Sequence, residues 1–260
     1  MKDQYGEIAV ARDGHVATLT IDRPPHNHVT VELMRDLADA LDHIDAEREL
    51  RASVLTSAGK SFCAGADLVS PSGIANPNAK EGINALYVEA VRLFSVRKPI
   101  VAAVQGAAVG AGLGLALVAD FRVAAPEARF SANFVKLGFH PGFGITHTLP
   151  RIVGEQRAAL MCLTGRRIKG EDALAWGLVD ALAPLDRLRE AAHQLAQELA
   201  EAAPLAVQAT RATLRRELAE RVKAQTDREF IEQSVLRKTD DFAEGVRAVA
   251  ERRPGRFTAS

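Results

Sequence analysis

Two stretches of small residues could bring backbone N–H groups up to a ligand. Ser61-Phe62-Cys63-Ala64-Gly65-Ala66-Asp67-Leu68 follows a predicted strand. Gly106-Ala107-Ala108-Val109-Gly110-Ala111-Gly112-Leu113-Gly114 follows another and enters a predicted helix. Small residues let a ligand approach the main chain. A helix N-terminus adds unpaired N–H groups and partial positive charge. Brought together, two such loops could donate two hydrogen bonds to one carbonyl oxygen. That is an oxyanion hole, suited to a reaction through an enolate or tetrahedral anion. For each loop alone, a tight turn with close helix packing is the plainer reading.

Other chemistries fit less well. Gly110-Ala-Gly112 is not followed by glycine in the GxGxxG register, and no acidic partner is evident on a following strand, so a dinucleotide turn is not expected. The sequence contains no Walker A, GxSxG or HExxH motif. His26-x-His28 lacks a nearby acidic or cysteine partner, so no metal site is expected.

The elements that would position the loops alternate in the first half. His15–Ile21 (HVATLTI) has strand period, and Arg23-Pro24-Pro25 ends it. Thr30 is a predicted N-cap for a helix over Val31–Asp45, with Leu33, Leu37, Leu41 and Ile44 on one stripe. Strands are predicted at Ser53–Leu55, Ile100–Val104 and Phe121–Ala124, and a helix at Leu86–Phe94. Ser70–Lys80 reads as a mobile polar excursion. After residue 150 the pattern turns helical: Gln156–Leu163, Glu171–Trp176, Leu188–Ala202, Leu205–Arg221, Glu229–Leu236 and Phe242–Ala250. The expected fold class is α/β, with an α/β core over residues 1–200 and a helical C-terminal region over 201–260.

Composition narrows the setting. The 260 residues carry 33 basic and 33 acidic side chains, so no nucleic-acid partner is expected. Two cysteines without a CxxC imply a reducing, cytoplasmic setting, and MKDQYGEIAV lacks the apolar run of a secretory signal. Ile100–Ala119 is twenty residues without charge, but a buried strand followed by a buried helix accounts for it, and no membrane span is expected.

The chain resembles the crotonase superfamily, also called the enoyl-CoA hydratase/isomerase family. The resemblance rests on IDRPPHNHVT (21–30), SAGKSFCAGADL (57–68), RKPIVAAVQGAAVGAGLGLALVADFRVA (97–124) and LPRIVGEQRAALMCLTGRRIKGEDALAWGLVD (149–180), in order and at family spacing over about residues 5–250. It implies a spiral of ββα units with a helical C-terminal trimerisation region, and a homotrimer or dimer of trimers. It implies an acyl-CoA thioester ligand, with coenzyme A as part of the substrate and no permanently bound cofactor. The implied oxyanion donors are the N–H groups of Ala66 and Ala111. Ala64, Gly65, Ala66, Asp67 and Leu68 would line the coenzyme A path, and Arg23 and His26 would lie beside its phosphates. Asp67 itself reads as a loop-stabilising acceptor.

The departures from the family pattern carry as much information. The two glutamates of the family's hydratases would stand at Gly114 and Phe134, and a third acidic position, used by dienoyl isomerases and aromatic-acyl dehalogenases, at Gly142. None of these residues can move a proton or attack carbon. The resemblance therefore implies enolate stabilisation at an acyl-CoA without two-glutamate hydration. His140, in Gly138-Phe139-His140-Pro141-Gly142, is the candidate replacement, with a pKa suited to acid–base work, and a bound water is the other. Phe134 points to a hydrophobic or aromatic acyl group. Tyr87 would border the acyl pocket. Cys63 reads as a small buried hydrophobe and His147 as structural. A non-catalytic acyl-CoA carrier or sensor is the alternative function.

Overall fold

The HVATLTI alternation becomes β3 (Val16–Ile21), antiparallel to β2 (Ile8–Asp13), with β1 (Gln4–Tyr5) at the edge. The computed structural model describes residues 2–67 and 83–260. From β3 the sheet continues in parallel through β4 (Ala52–Ser57), β5 (Ile100–Val104), β7 (Phe121–Ala124) and β10 (Ala181–Leu182). A smaller sheet holds β6 (Ala107–Val109), β8 (Arg129–Ser131) and β9 (Ile168–Lys169). The second glycine-rich stretch is thus partly strand, β6, before it enters a helix. The 70–80 excursion and Leu68 lie outside the described residues.

Alternating side chains build a core on each face of the larger sheet. Val16, Val54, Val101 and Ala103 face α7 (Leu188–Glu201), which presents Leu188, Ala192, Ala196 and Ala200 at helical spacing. Leu19, Leu55, Ile100, Ala102 and Val104 join the other core with α1 (Val31–Ala46) and α2 (Ile83–Phe94). Thr30 caps α1 as expected, its side chain accepting from Leu33 N. The remaining helices are α3 (Ala111–Val118), α4 (Ile145–Val153), α5 (Glu155–Thr164), α6 (Gly170–Ala175), α8 (Pro204–Leu214), α9 (Leu218–Leu236) and α10 (Asp240–Ala250).

One boundary differs from the sequence expectation. A single helix over Leu205–Arg221 is instead two, and the second runs unbroken to Leu236. The break has an electrostatic cause. Arg211 and Arg215, one turn apart, both reach Asp120 (2.9 and 2.8 Å), which also accepts from Ile100 N at 2.9 Å. This ties the last turn of α8 to the start of β5. The chain then reverses at Glu217, whose φ is 62°.

Asp120 is the carboxylate shared by Arg211 and Arg215, and all three are largely buried. Replacing Asp120 by Ala should cost about 3–5 kcal/mol, because two buried cations lose their counter-charge. Breaking the exposed Lys223–Asp227 pair should cost under about 0.5 kcal/mol. Urea unfolding of the two variants measures both, and comparable losses would contradict this ranking.

Candidate functional site

The two small-residue loops are clasped together by the main chain. Cys63 N donates to Ala107 O (2.8 Å), Val109 N to Cys63 O (3.0 Å) and Phe62 N to Gln105 O (2.8 Å). Gly112 is required by this approach, since a Cβ there would stand 2.1 Å from Cys63 O. Asn27 holds the first loop from behind. Its Nδ2 donates to Ala58 O and Ser61 O, both at 2.8 Å, and its Oδ1 accepts from Arg23 N. Its φ of 52° is one that asparagine tolerates better than most residues. Val29 N then donates to Gly65 O at 3.0 Å.

These bonds leave the N–H groups of Ala66 and Ala111 over. Neither donates to another group among the described residues. Ala111 is the first residue of α3, where the helix supplies no acceptor. Both line a cavity of about 220 Å³ together with Ala64, Gly65 and Asp67. Leu86, Phe134, Leu137, Phe139 and Phe143 make the wall apolar, and Val246 and Val249 of α10 close one side.

Large groups crowd Gly114 and Gly142. A Cβ on Gly114 would lie 2.6 Å from the Phe143 ring, which is fully buried. Phe134 forms wall itself. A Cβ on Gly142 would lie 1.9 Å from the Tyr87 hydroxyl and 2.6 Å from Gln233 Nε2. Asp67 is the sole carboxylate lining the cavity among the described residues.

The other predicted residues are distributed unevenly. His140 is half-buried, its Nδ1 2.7 Å from Pro141 O, and its ring is not part of the cavity lining. Arg23 pairs with Glu7 at 2.9 Å and donates to His28 O, also off the lining. His26 is exposed, its ring centroid 5.3 Å from that of His28. His28, not His26, reaches the cavity. Its Nδ1 lies 3.2 Å from Gly65 O, and since a carbonyl only accepts, that nitrogen carries the proton. Burial, reinforced by His26 and Arg23, lowers its pKa despite Asp67 and the Gly65 carbonyl, so it carries no charge at neutral pH. Cys63 is fully buried and burial pushes its thiol up to about 12, which leaves it unreactive. His147 sits on α4, where burial lowers its pKa. Among the described residues no cluster of three potential metal ligands occurs, and no helix is long and apolar enough to cross a membrane.

Behind the lining stands α9, which holds it by hydrogen bonds and which the sequence does not mark as part of the site. Gln233 Nε2 donates to His140 O (2.9 Å), which fixes its amide orientation, and its Oε1 accepts from the Tyr87 hydroxyl (2.8 Å). One turn earlier, Glu229 accepts from Gly144 N (2.7 Å), Thr146 N (3.2 Å) and Thr146 Oγ1 (2.5 Å), holding the start of α4. Burial raises the Glu229 carboxyl to about 7 against the lowering effect of those bonds. Burial and the nearby Glu229 also push the Tyr87 phenol up, so Tyr87 stays neutral. The (i, i+4) spacing of Glu229 and Gln233 was visible, but not what they face.

Residues 11–260 match the family model described as enoyl-CoA hydratase/isomerase. The chain is 42% identical over 214 residues to the probable enoyl-CoA hydratase EchA14 of Mycobacterium tuberculosis, covering 82% of each. It is 34% identical over 249 residues to the 1,2-epoxyphenylacetyl-CoA isomerase of Escherichia coli, covering 94% of this chain and 95% of that one. Among solved structures, an enoyl-CoA hydratase/isomerase from Pseudoalteromonas atlantica T6c superposes with a TM-score of 0.88 at 32% identity, covering 97% of this chain and all of that one. The mixed, parallel-rich α/β fold expected from the sequence is the fold of these structures.

Two predictions follow from the packing. Gly114→Ala should cost about 1–3 kcal/mol by overpacking against Phe143. In the double variant with Phe143→Ala the losses should be clearly less than additive, a coupling that a thermodynamic cycle of unfolding energies reads directly. The second concerns pH. Because the folded Glu229 pKa lies above its ordinary value of 4.5, its contribution is complete below that pH and is lost as pH rises through about 7. The loss amounts to roughly 3 kcal/mol. Glu229→Gln should therefore flatten the fall in stability between pH 5 and 8, and an unchanged slope would show the carboxyl to titrate normally.

Proposed function

The chain belongs to the enoyl-CoA hydratase/isomerase family, and we propose that it is an enzyme of acyl-CoA thioesters that stabilises the thioester enolate without a glutamate pair. One observation carries this reading: two unpartnered N–H groups, Ala66 and Ala111, line an apolar cavity in which Phe143 and Tyr87 pack on Gly114 and Gly142, positions the family resemblance assigns to carboxylates.

The thioester oxygen accepts from Ala66 N and Ala111 N. Charge that develops there on loss of the α-proton is then met by fixed dipoles in low-dielectric surroundings. The C–H electron pair moves into the enolate, and a water in the cavity takes the proton and returns it. Isomerisation, decarboxylation and retro-aldol cleavage share this intermediate. The names of the relatives, a probable enoyl-CoA hydratase and a 1,2-epoxyphenylacetyl-CoA isomerase, accord with that range. The aromatic wall favours a hydrophobic or aromatic acyl group. Coenzyme A would run along Ala64, Gly65 and Asp67 towards Leu68, with the exposed His26 and Arg23 nearest its phosphates. Assembly as a homotrimer or dimer of trimers belongs to the same reading, and the exposed Leu163, Leu205 and Leu214 supply apolar surface for it.

The test is incubation with straight-chain enoyl, branched, aromatic and malonyl-type acyl-CoAs in deuterium oxide, read by mass spectrometry with binding measured in parallel. Deuterium uptake or a new product is expected with at least one class. Ala111→Pro should lower that rate about 10²–10³-fold with the fold retained, because proline is tolerated at the first position of a helix but carries no N–H. His140→Ala should keep the rate within a few-fold, as its ring does not line the cavity, and a large loss would instead make His140 the proton carrier. Tight binding without exchange across the panel would favour a carrier or sensor. No binding at all would refute the coenzyme A assignment.

A further inference from the structure

We propose that Asn133 selects the acyl group: its carboxamide binds an oxygen substituent, a hydroxyl above all, on the acyl carbons nearest the thioester. This rests on the acyl-CoA reading above and specifies its substrate class.

The cavity offers few polar side chains, and most are already committed. The Tyr87 hydroxyl donates to Gln233, and His28 Nδ1 faces Gly65 O. Asp67 lies within the oxyanion loop and has partners of its own. Asn133 is different. It lines the cavity and is half-buried, yet its carboxamide has no hydrogen-bond partner among the described residues.

Its position is fixed by the same backbone that forms the oxyanion cradle. Gly110 N donates to Ser131 O at 2.9 Å, which ties the start of α3 to the chain just before Asn133. Asn133 Oδ1 lies 3.2 Å from where a Cβ of Gly110 would stand, so the carboxamide is in close contact with that residue. The carboxamide therefore sits against the residue that precedes Ala111, beside the N–H assigned to the thioester oxygen. Atoms within its reach belong to the first carbons of the acyl chain. The far wall, Leu137, Phe139 and Phe143, is apolar and suits the rest.

A carboxamide neither gives nor takes a proton at neutral pH, so it acts by binding. It has a donor and an acceptor, and a hydroxyl matches both. A saturated chain gains no such bond, so the difference between the two is about the net worth of one hydrogen bond. The site then discriminates by polarity next to the thioester, while the remaining wall reads bulk.

Isothermal titration of the full-length protein with hexanoyl-CoA and 3-hydroxyhexanoyl-CoA tests this. Wild type should bind the hydroxylated thioester about tenfold more tightly. Asn133→Ala should abolish that preference while leaving hexanoyl-CoA within about a factor of two. Asn133→Asp keeps the shape and an acceptor, and should retain most of the preference. Equal binding of the two thioesters by wild type, or a parallel loss of both in Asn133→Ala, overturns the assignment to Asn133 and leaves the acyl-CoA reading intact. Failure of wild type to bind either thioester overturns both.

Discussion

The site depends on one close approach of main chain to main chain. Cys63 lies between Ala107 and Val109, giving and receiving a hydrogen bond, and Gly112 passes its carbonyl with no room for a side chain. That contact holds two loops from different strands in fixed register, so Ala66 and Ala111 present their N–H groups together. The rest of the first half serves it. β4 and β5 lie parallel and adjacent, which brings their following loops to the same end of the sheet. Asn27 braces one loop and Ser131 the other. Alanine serves at 66 and 111 because the chemistry resides in the backbone.

Around this cradle, aromatic bulk packs on Gly114 and Gly142. Phe143 takes a left-handed backbone conformation, φ 62°, that a bulky residue adopts only when its surroundings enforce it. They do: Gly142 must admit Tyr87, Gly144 is held by Glu229, and the ring between them packs on Gly114. Glycine at 114 and phenylalanine at 143 are thus one feature. Placing a carboxylate at 114 would require removing the ring as well.

The backbone half of the site was legible in the sequence, and the side-chain half was not. Small residues after strands mark close approach, and the motif order at 57–68 and 97–124 identified the fold; Ala66 and Ala111 of those stretches line the cavity. The helix N-cap at Thr30 and the strand alternation were equally local and equally readable. What failed to show were contacts across long sequence separations. Gln233 meets Tyr87 across 146 residues, and Glu229 meets Gly144 across 85. The break at Glu217 arises because Arg215 reaches back 95 residues to Asp120. His28 and His26 differ only in which one the turn points inward, and Asn133 drew no notice beside Phe134.

Magnitudes narrow the chemistry that such a site can perform. Each oxyanion donor is worth about 10²–10³ in rate, and general acid–base catalysis about 10²–10⁴. A hydratase needs both, because water must be deprotonated as it adds and the α-carbon protonated. Here Ala66 and Ala111 line the cavity with unpartnered N–H groups, and Asp67 is the one carboxylate on its wall among the described residues. Tyr87 cannot substitute as a base, since burial raises its pKa and its proton is engaged by Gln233. A substrate therefore has to bring its own reactivity, as an acidified α-proton or a good leaving group next to the thioester. Asn133 is the side chain in a position to hold a polar substituent on those carbons.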